Sequence, residues 1–119
     1  MKSTSYRDLE VWKKAISLAK IIYEVTCKFP AKEKYGLSNQ IQRSAVSVSA
    51  NIAEGQARNS RKEFNYFLNV SLGSLAELET LLTIAFEISY IPQATLMELH
   101  GTTDEITRMI KGIIKHPSK

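Results

Sequence analysis

Residues 60–90 read SRKEFNYFLNVSLGSLAELETLLTIAFEISY. Ser60 followed by Glu63 is a capping box, in which the hydroxyl and the carboxylate satisfy the first free amides of a helix. From there Phe64, Leu68, Ser71, Leu75, Leu78, Leu82, Ala85 and Ser89 alternate steps of four and three, which is one helix face. The helix is predicted to run as far as Tyr90. Phe67, Val70, Leu72, Leu81, Ile84, Phe86 and Ile88 lie beyond that stripe. A helix apolar over so wide an arc is buried on more than one side. In a chain of 119 residues the extra side is expected to be covered by another subunit.

Outward from this helix the same period recurs. Ile91-Pro92 breaks the chain, and a fourth helix starts near Gln93 or Ala94, with Leu96, Leu99, Thr103, Ile106, Ile110 and Ile113 on one face. Upstream, Leu37, Ile41, Ala45, Val48 and Ile52 mark a helix rich in small residues (Ser44, Ser47, Ser49, Ala50, Ala53), with Gly55 expected just past its end. The first helix is predicted from an Asp8 N-cap, with Leu9, Trp12, Ile16, Ala19 and Tyr23 as its seam. Ala15, Leu18, Ile22 and Val25 widen that seam, and Phe29-Pro30 ends the helix. Four amphipathic helices with short connections predict an all-α, up-down-up-down bundle occupying residues 1–119 as one domain.

Composition agrees. Hydrophobic residues are 44% and charged residues 24%, a globular balance, and with 5 Gly and 3 Pro a loop-rich all-β fold is disfavoured. The single cysteine, Cys27, excludes an intramolecular disulfide and a cysteine-based zinc site, and is expected to be packed or half-buried. No uninterrupted apolar run approaches the roughly 18 residues of a membrane span, and the first residues lack the apolar core of a signal peptide. No membrane partner is expected, and a reducing cytoplasm is the expected compartment.

Catalytic constellations are missing. His100 and His116 have no His or Cys at metal-ligand spacing, no Glu-x-x-His pair exists, and the glycines at 36, 55, 73, 101 and 112 form no phosphate loop. Glu77 and Glu79, two apart on a helix, do not share a face. No enzyme activity, cofactor or metal is expected.

Charge is the remaining signal. Residues 1–62 hold 12 Lys+Arg against 5 Asp+Glu (+7), residues 63–107 none against 7 (−7), and residues 108–119 hold 4 against none (+4). A chain so divided can offer a polyanion one face, or mate basic face to acidic face with its own copy. The candidate nucleic-acid contacts are Arg7, Lys13, Lys14 and Lys20 of the first helix and its entry, and Arg58, Arg61 and Lys62 at the turn before the third. At that turn a helix N-terminus also favours anions. Arg108, Lys111, Lys115 and Lys119 line the end of the fourth helix. Glu10–Lys14 and Lys20–Glu24 are spaced to pair and so to neutralise part of the first group. Tyr6, Tyr35 and Tyr66 are aromatic candidates for base stacking, with core or interface roles as the alternative. Arg43, Asn51 and Glu54 are expected to close a polar network that fixes helix or subunit register.

Tyr6-Arg7-Asp8-Leu9-Glu10-Val11-Trp12 resembles the opening of the small four helix bundle protein family, which includes proteins encoded within intervening sequences of bacterial 23S rRNA genes. Tyr35-Gly36-Leu37, Gln40-Ile41, Arg43-Ser44-Ala45-Val46-Ser47-Val48 and Ala50-Asn51-Ile52-Ala53-Glu54-Gly55 match its central signature. Arg58, Ser60, Lys62-Glu63-Phe64, Phe67-Leu68 and Gly73-Ser74 continue it. Ser49 stands where a proline is frequent and Ala57 where glycine is. The resemblance implies a four-helix bundle assembling as a ring-like homopentamer. It also implies kinship with the accessory variability determinant of diversity-generating retroelements, a basic pentameric bundle that binds nucleic acid and a reverse transcriptase. The family assigns no catalytic residues and no agreed molecular function. The expected partners are therefore a second copy of the chain, RNA or DNA, and by analogy a reverse transcriptase, with a protein-interaction scaffold as the alternative reading.

Overall fold

The computed structural model describes residues 5–115. Four helices, α1 (Glu10–Thr26), α2 (Leu37–Ala57), α3 (Arg61–Glu87) and α4 (Gln93–Lys115), are joined by short connections, and the described residues hold no strand. Three-residue 3₁₀ turns at Tyr6–Asp8 and Ala31–Glu33 precede α1 and α2. Each helix packs on its two chain neighbours or, for α1 and α4, on each other, while the diagonal pairs do not meet, as in a square four-helix bundle. The body measures 48 × 24 × 21 Å. Its core is made by Leu18 and Ile22, Ile41 and Ile52, Leu68, Leu75, Leu78 and Leu82, and Leu99, Ile106 and Ile110.

The α2–α3 seam is the most intimate contact, and small residues are the reason. Ser71 Oγ donates to the Val48 carbonyl at 2.9 Å, and the Ser47 and Ser74 hydroxyls share a hydrogen bond of 2.8 Å. Gly55 does not end α2. It lies buried inside the helix, where an added Cβ would fall 2.8 Å from Phe67 Cβ, and the C-cap is Arg58 in extended conformation.

Two features of α1 differ from expectation. Asp8 does not cap it: the Ser5 hydroxyl accepts from the Arg7 amide at 3.1 Å and starts the 3₁₀ turn, and Leu9, extended, is the N-cap. The buried stripe is Val11, Ala15, Leu18, Ile22 and Thr26. Of the predicted seam, Leu9, Trp12 and Ala19 are half-buried, while Ile16 (44% exposed) and Tyr23 (50%) face outward. The apolar arc of α1 is wider than α2 and α4 together can cover, so the bundle axis selects one side of it.

The α3 helix stops at Glu87 rather than Tyr90, because Ser89 takes a left-handed conformation (φ 69°). The Tyr90 amide donates to Ala85 O at 2.8 Å and the Ser89 amide to Phe86 O at 2.9 Å, the paired bonds of a Schellman close. Cys27 is exposed rather than packed, because α1 ends there, and its thiol turns back to the Glu24 carbonyl at 3.0 Å. By length and mean hydropathy α3 would suffice to cross a bilayer, despite the lack of an uninterrupted apolar run. It carries eight of the buried residues of the bundle.

Candidate nucleic-acid interface

Antiparallel packing decides where the charges go. Gln42 Nε2 donates to Thr26 Oγ1 at 2.9 Å, setting the end of α1 beside the start of α2. Lys14 Nζ reaches Glu105 of α4 at 3.2 Å, and the Thr103 hydroxyl donates to Glu79 of α3. The entry to α1, the α2–α3 turn and the C-terminus of α4 therefore share one end of the bundle. That end carries Arg7, Arg58, Arg61, Lys62, Lys111 and Lys115, residues drawn from all three basic groups of the sequence. The Tyr6–Asp8 turn packs on both α1 and α2, which holds Arg7 there. Lys20 lies farther along α1 and does not join them. Lys119 and His116 fall outside the described residues.

Several of these cations are already occupied. Lys13 pairs with Glu10 at 3.4 Å and Lys14 with Glu105, so the expected Glu10–Lys14 pair is not made. Arg58 Nε donates to Glu54 Oε2 at 3.0 Å, and its guanidinium lies 5.0 Å from the centre of the Phe67 ring. The Glu54 carboxylate raises the Arg58 pKa through that hydrogen bond first and its charge second. Arg61 lies 5.3 Å from the Phe64 ring and Arg7 5.2 Å from the Tyr6 ring. Aromatic faces hold these guanidiniums in place without neutralising them. Arg7, Arg61 and Lys62 have no ion-pair partner among the described residues. The first turn of α3 is partly filled, since the Glu63 amide donates to Ser60 Oγ at 3.0 Å and Glu63 adds an acid there.

Arg43, Asn51 and Glu54 do not form one network. Asn51 Nδ2 donates to Ser47 O at 2.8 Å and to Ser47 Oγ at 3.0 Å, so it joins the serine link between α2 and α3. Glu54 turns to Arg58, and Arg43 lines an open groove of about 340 Å³ with Asn39, Gln40, Ser44, Ser47 and Glu77. Arg43 precedes Asn51 by eight residues, which rotates it about 80° away on a helix. The cross-helix serines are the polar residues that sequence reading under-used; their small size was legible, their hydrogen bonding was not.

Among the aromatics, Tyr6 packs edge-on against Trp12, Tyr66 meets Phe67 edge-on but remains 63% exposed, and Tyr35 is 86% exposed. His100 buries its Nε2 without a hydrogen-bond partner, and the described residues hold no group of three or more metal-ligating side chains.

Residues 7–112 match the family described as 23S rRNA-intervening sequence protein. The chain belongs to that family. A solved structure of similar shape is a protein of unknown function from the S23 ribosomal protein family of Bacteroides thetaiotaomicron. It is 28% identical, aligns with a TM-score of 0.82, and the match covers 88% of this chain and 98% of that one. No curated protein matches the chain. That protein shares the all-α bundle seen here, and its function is unknown.

Proposed function

We propose that this family member is a non-catalytic, self-associating helical bundle that binds RNA or DNA loosely and without sequence preference. The observation that carries this reading is the gathering of Arg7, Arg61 and Lys62, free of ion pairs among the described residues, at the end that also receives Lys111 and Lys115. Such cations contact phosphates and need density and reach rather than a motif. One subunit offers few contacts, so its affinity is of the order of non-specific binding, about 10⁻⁴ to 10⁻⁶ M, and repetition around an oligomer raises the apparent value. Self-association is supported by the outward Ile16 and Tyr23 of α1 and by Ile84 (44% exposed) and Ile88 (47%) near the end of α3. The homopentamer follows from the resemblance alone.

A salt titration of binding to a labelled rRNA fragment and to an unrelated duplex tests the reading. Binding to both should fall steeply with salt, and replacing Arg58, Arg61 and Lys62 together by Gln should weaken both without changing the oligomer. Absence of binding at low salt refutes it and favours the scaffold reading, which the exposed apolar residues also support. Tight, salt-insensitive binding to one sequence refutes it as well.

A further inference from the structure

The end of the bundle opposite the basic cluster carries a second, differently built surface. The connection between α1 and α2, residues 27–36, presents Lys28, Lys32 and Lys34, all exposed and none ion-paired among the described residues. Beside them stands Tyr35, 86% exposed, with Lys34 Nζ 5.5 Å from its ring centre. The lysine sits over a ring that is otherwise largely exposed. The one acid of the segment, Glu33, is turned inward: its Oε2 accepts from the Tyr90 hydroxyl at 2.7 Å and its Oε1 from the Leu37 amide at 3.1 Å. Lys34 therefore lies against an exposed aromatic ring, Lys28 and Lys32 are exposed in the same segment without an ion pair, and the segment's one carboxylate is tied back to Tyr90 and Leu37.

We propose that Tyr35 is a stacking platform for an unpaired base, with Lys28, Lys32 and Lys34 holding the flanking phosphates, so that this surface takes single-stranded nucleic acid. An aromatic face and a cationic rim are the two elements of sequence-tolerant single-strand binding, since every base has a π-face. A duplex keeps its bases stacked on one another and can use only the lysines. This inference rests on the nucleic-acid reading above, but it uses the other end of the bundle and distinguishes strandedness, which the Arg61–Lys62 end does not.

The test is fluorescence anisotropy at low salt with a short labelled single-stranded oligonucleotide of mixed sequence and with its duplex. Tyr35→Ala should weaken single-strand binding about tenfold and leave duplex binding unchanged, while Tyr35→Phe retains both. Lys28→Gln, Lys32→Gln and Lys34→Gln together should weaken both probes. The Tyr35 side chain supports no other element, so circular dichroism should show an unchanged fold in each Tyr35 variant. Unchanged single-strand binding by Tyr35→Ala overturns the inference, as does an equal loss on both probes. A change in oligomer mass without loss of binding assigns Tyr35 to a subunit contact and also overturns it. Should Arg61→Gln/Lys62→Gln alone lose the duplex while Tyr35→Ala loses nothing, the proposed function survives and this inference fails. In the converse case this surface stands and the site assigned to the opposite end fails. A wild-type protein that binds neither probe overturns both.

Discussion

Replacing Gly55 by Ala isolates the closeness of the α2–α3 contact. An alanine in a helix is ordinarily better than a glycine by roughly 0.5–1 kcal/mol. At position 55 the new methyl would lie 2.8 Å from Phe67 Cβ, 3.0 Å from Phe64 Cδ1 and 3.2 Å from the Phe64 carbonyl oxygen. Carbon atoms prefer about 3.5–4.0 Å. Phe67 Cβ is fixed to the α3 backbone and cannot swing aside, so the two helices must part by several tenths of an ångström or more. Overpacking of this kind costs about 1–3 kcal/mol. The net effect is a loss of about 1–2 kcal/mol, or about 5 °C in Tm for a domain of this size. Gly73, Gly101 and Gly112 provide internal controls, since each lies in a helix and a Cβ there meets nothing within 4 Å. Alanine at those three positions should raise stability by about 0.5–1 kcal/mol each. Urea denaturation followed by circular dichroism, at one fixed protein concentration because assembly shifts apparent stability, measures all four. A Gly55→Ala protein as stable as Gly73→Ala would refute the close approach.

Three further outcomes follow from the same structure. Ser89→Gly should stabilise by about 1 kcal/mol, because glycine removes the steric cost of the left-handed conformation at φ 69°; differential scanning calorimetry reads the shift. Glu33 has a pKa below its ordinary value, held there first by the Tyr90 hydroxyl and then by the Leu37 amide. A depressed folded pKa means its contribution is present above the unfolded value of 4.5 and lost as pH falls through the lower folded one. Tyr90→Phe should therefore lower Tm at neutral pH and flatten its fall across the acidic range; a parallel shift at every pH would refute the link. Ser71→Ala should cost about 0.5–1.5 kcal/mol through loss of the bond to Val48 O, measured by urea unfolding.

The sequence by itself determined the four helices, their order and most of the core. Periodicity is a local property, and Leu68, Leu75, Leu78 and Leu82 of α3, like Ile41, Val48 and Ile52 of α2, are buried where their spacing put them. Family membership was legible for the same reason, since Arg43–Val48 and Ala50–Gly55 are local strings separated by the single departure at Ser49. Tertiary structure alone decided which side of an over-wide apolar arc faces inward. In α1 that choice buried Ala15, Leu18 and Ile22 and left Ile16 and Tyr23 outside, because the directions of α2 and α4 are not written in α1. It also decided which charges are spent. Lys14 found Glu105, 91 residues away, rather than Glu10 on its own helix. Glu33 turned inward to Tyr90, 57 residues away, and makes no ion pair with its neighbouring lysines. Charge count is additive along a chain, but an ion pair depends on distance in space. Which cations of the α1–α2 connection stay unpaired, and that Tyr35 among them is exposed, could therefore be read only after the helices had been brought together.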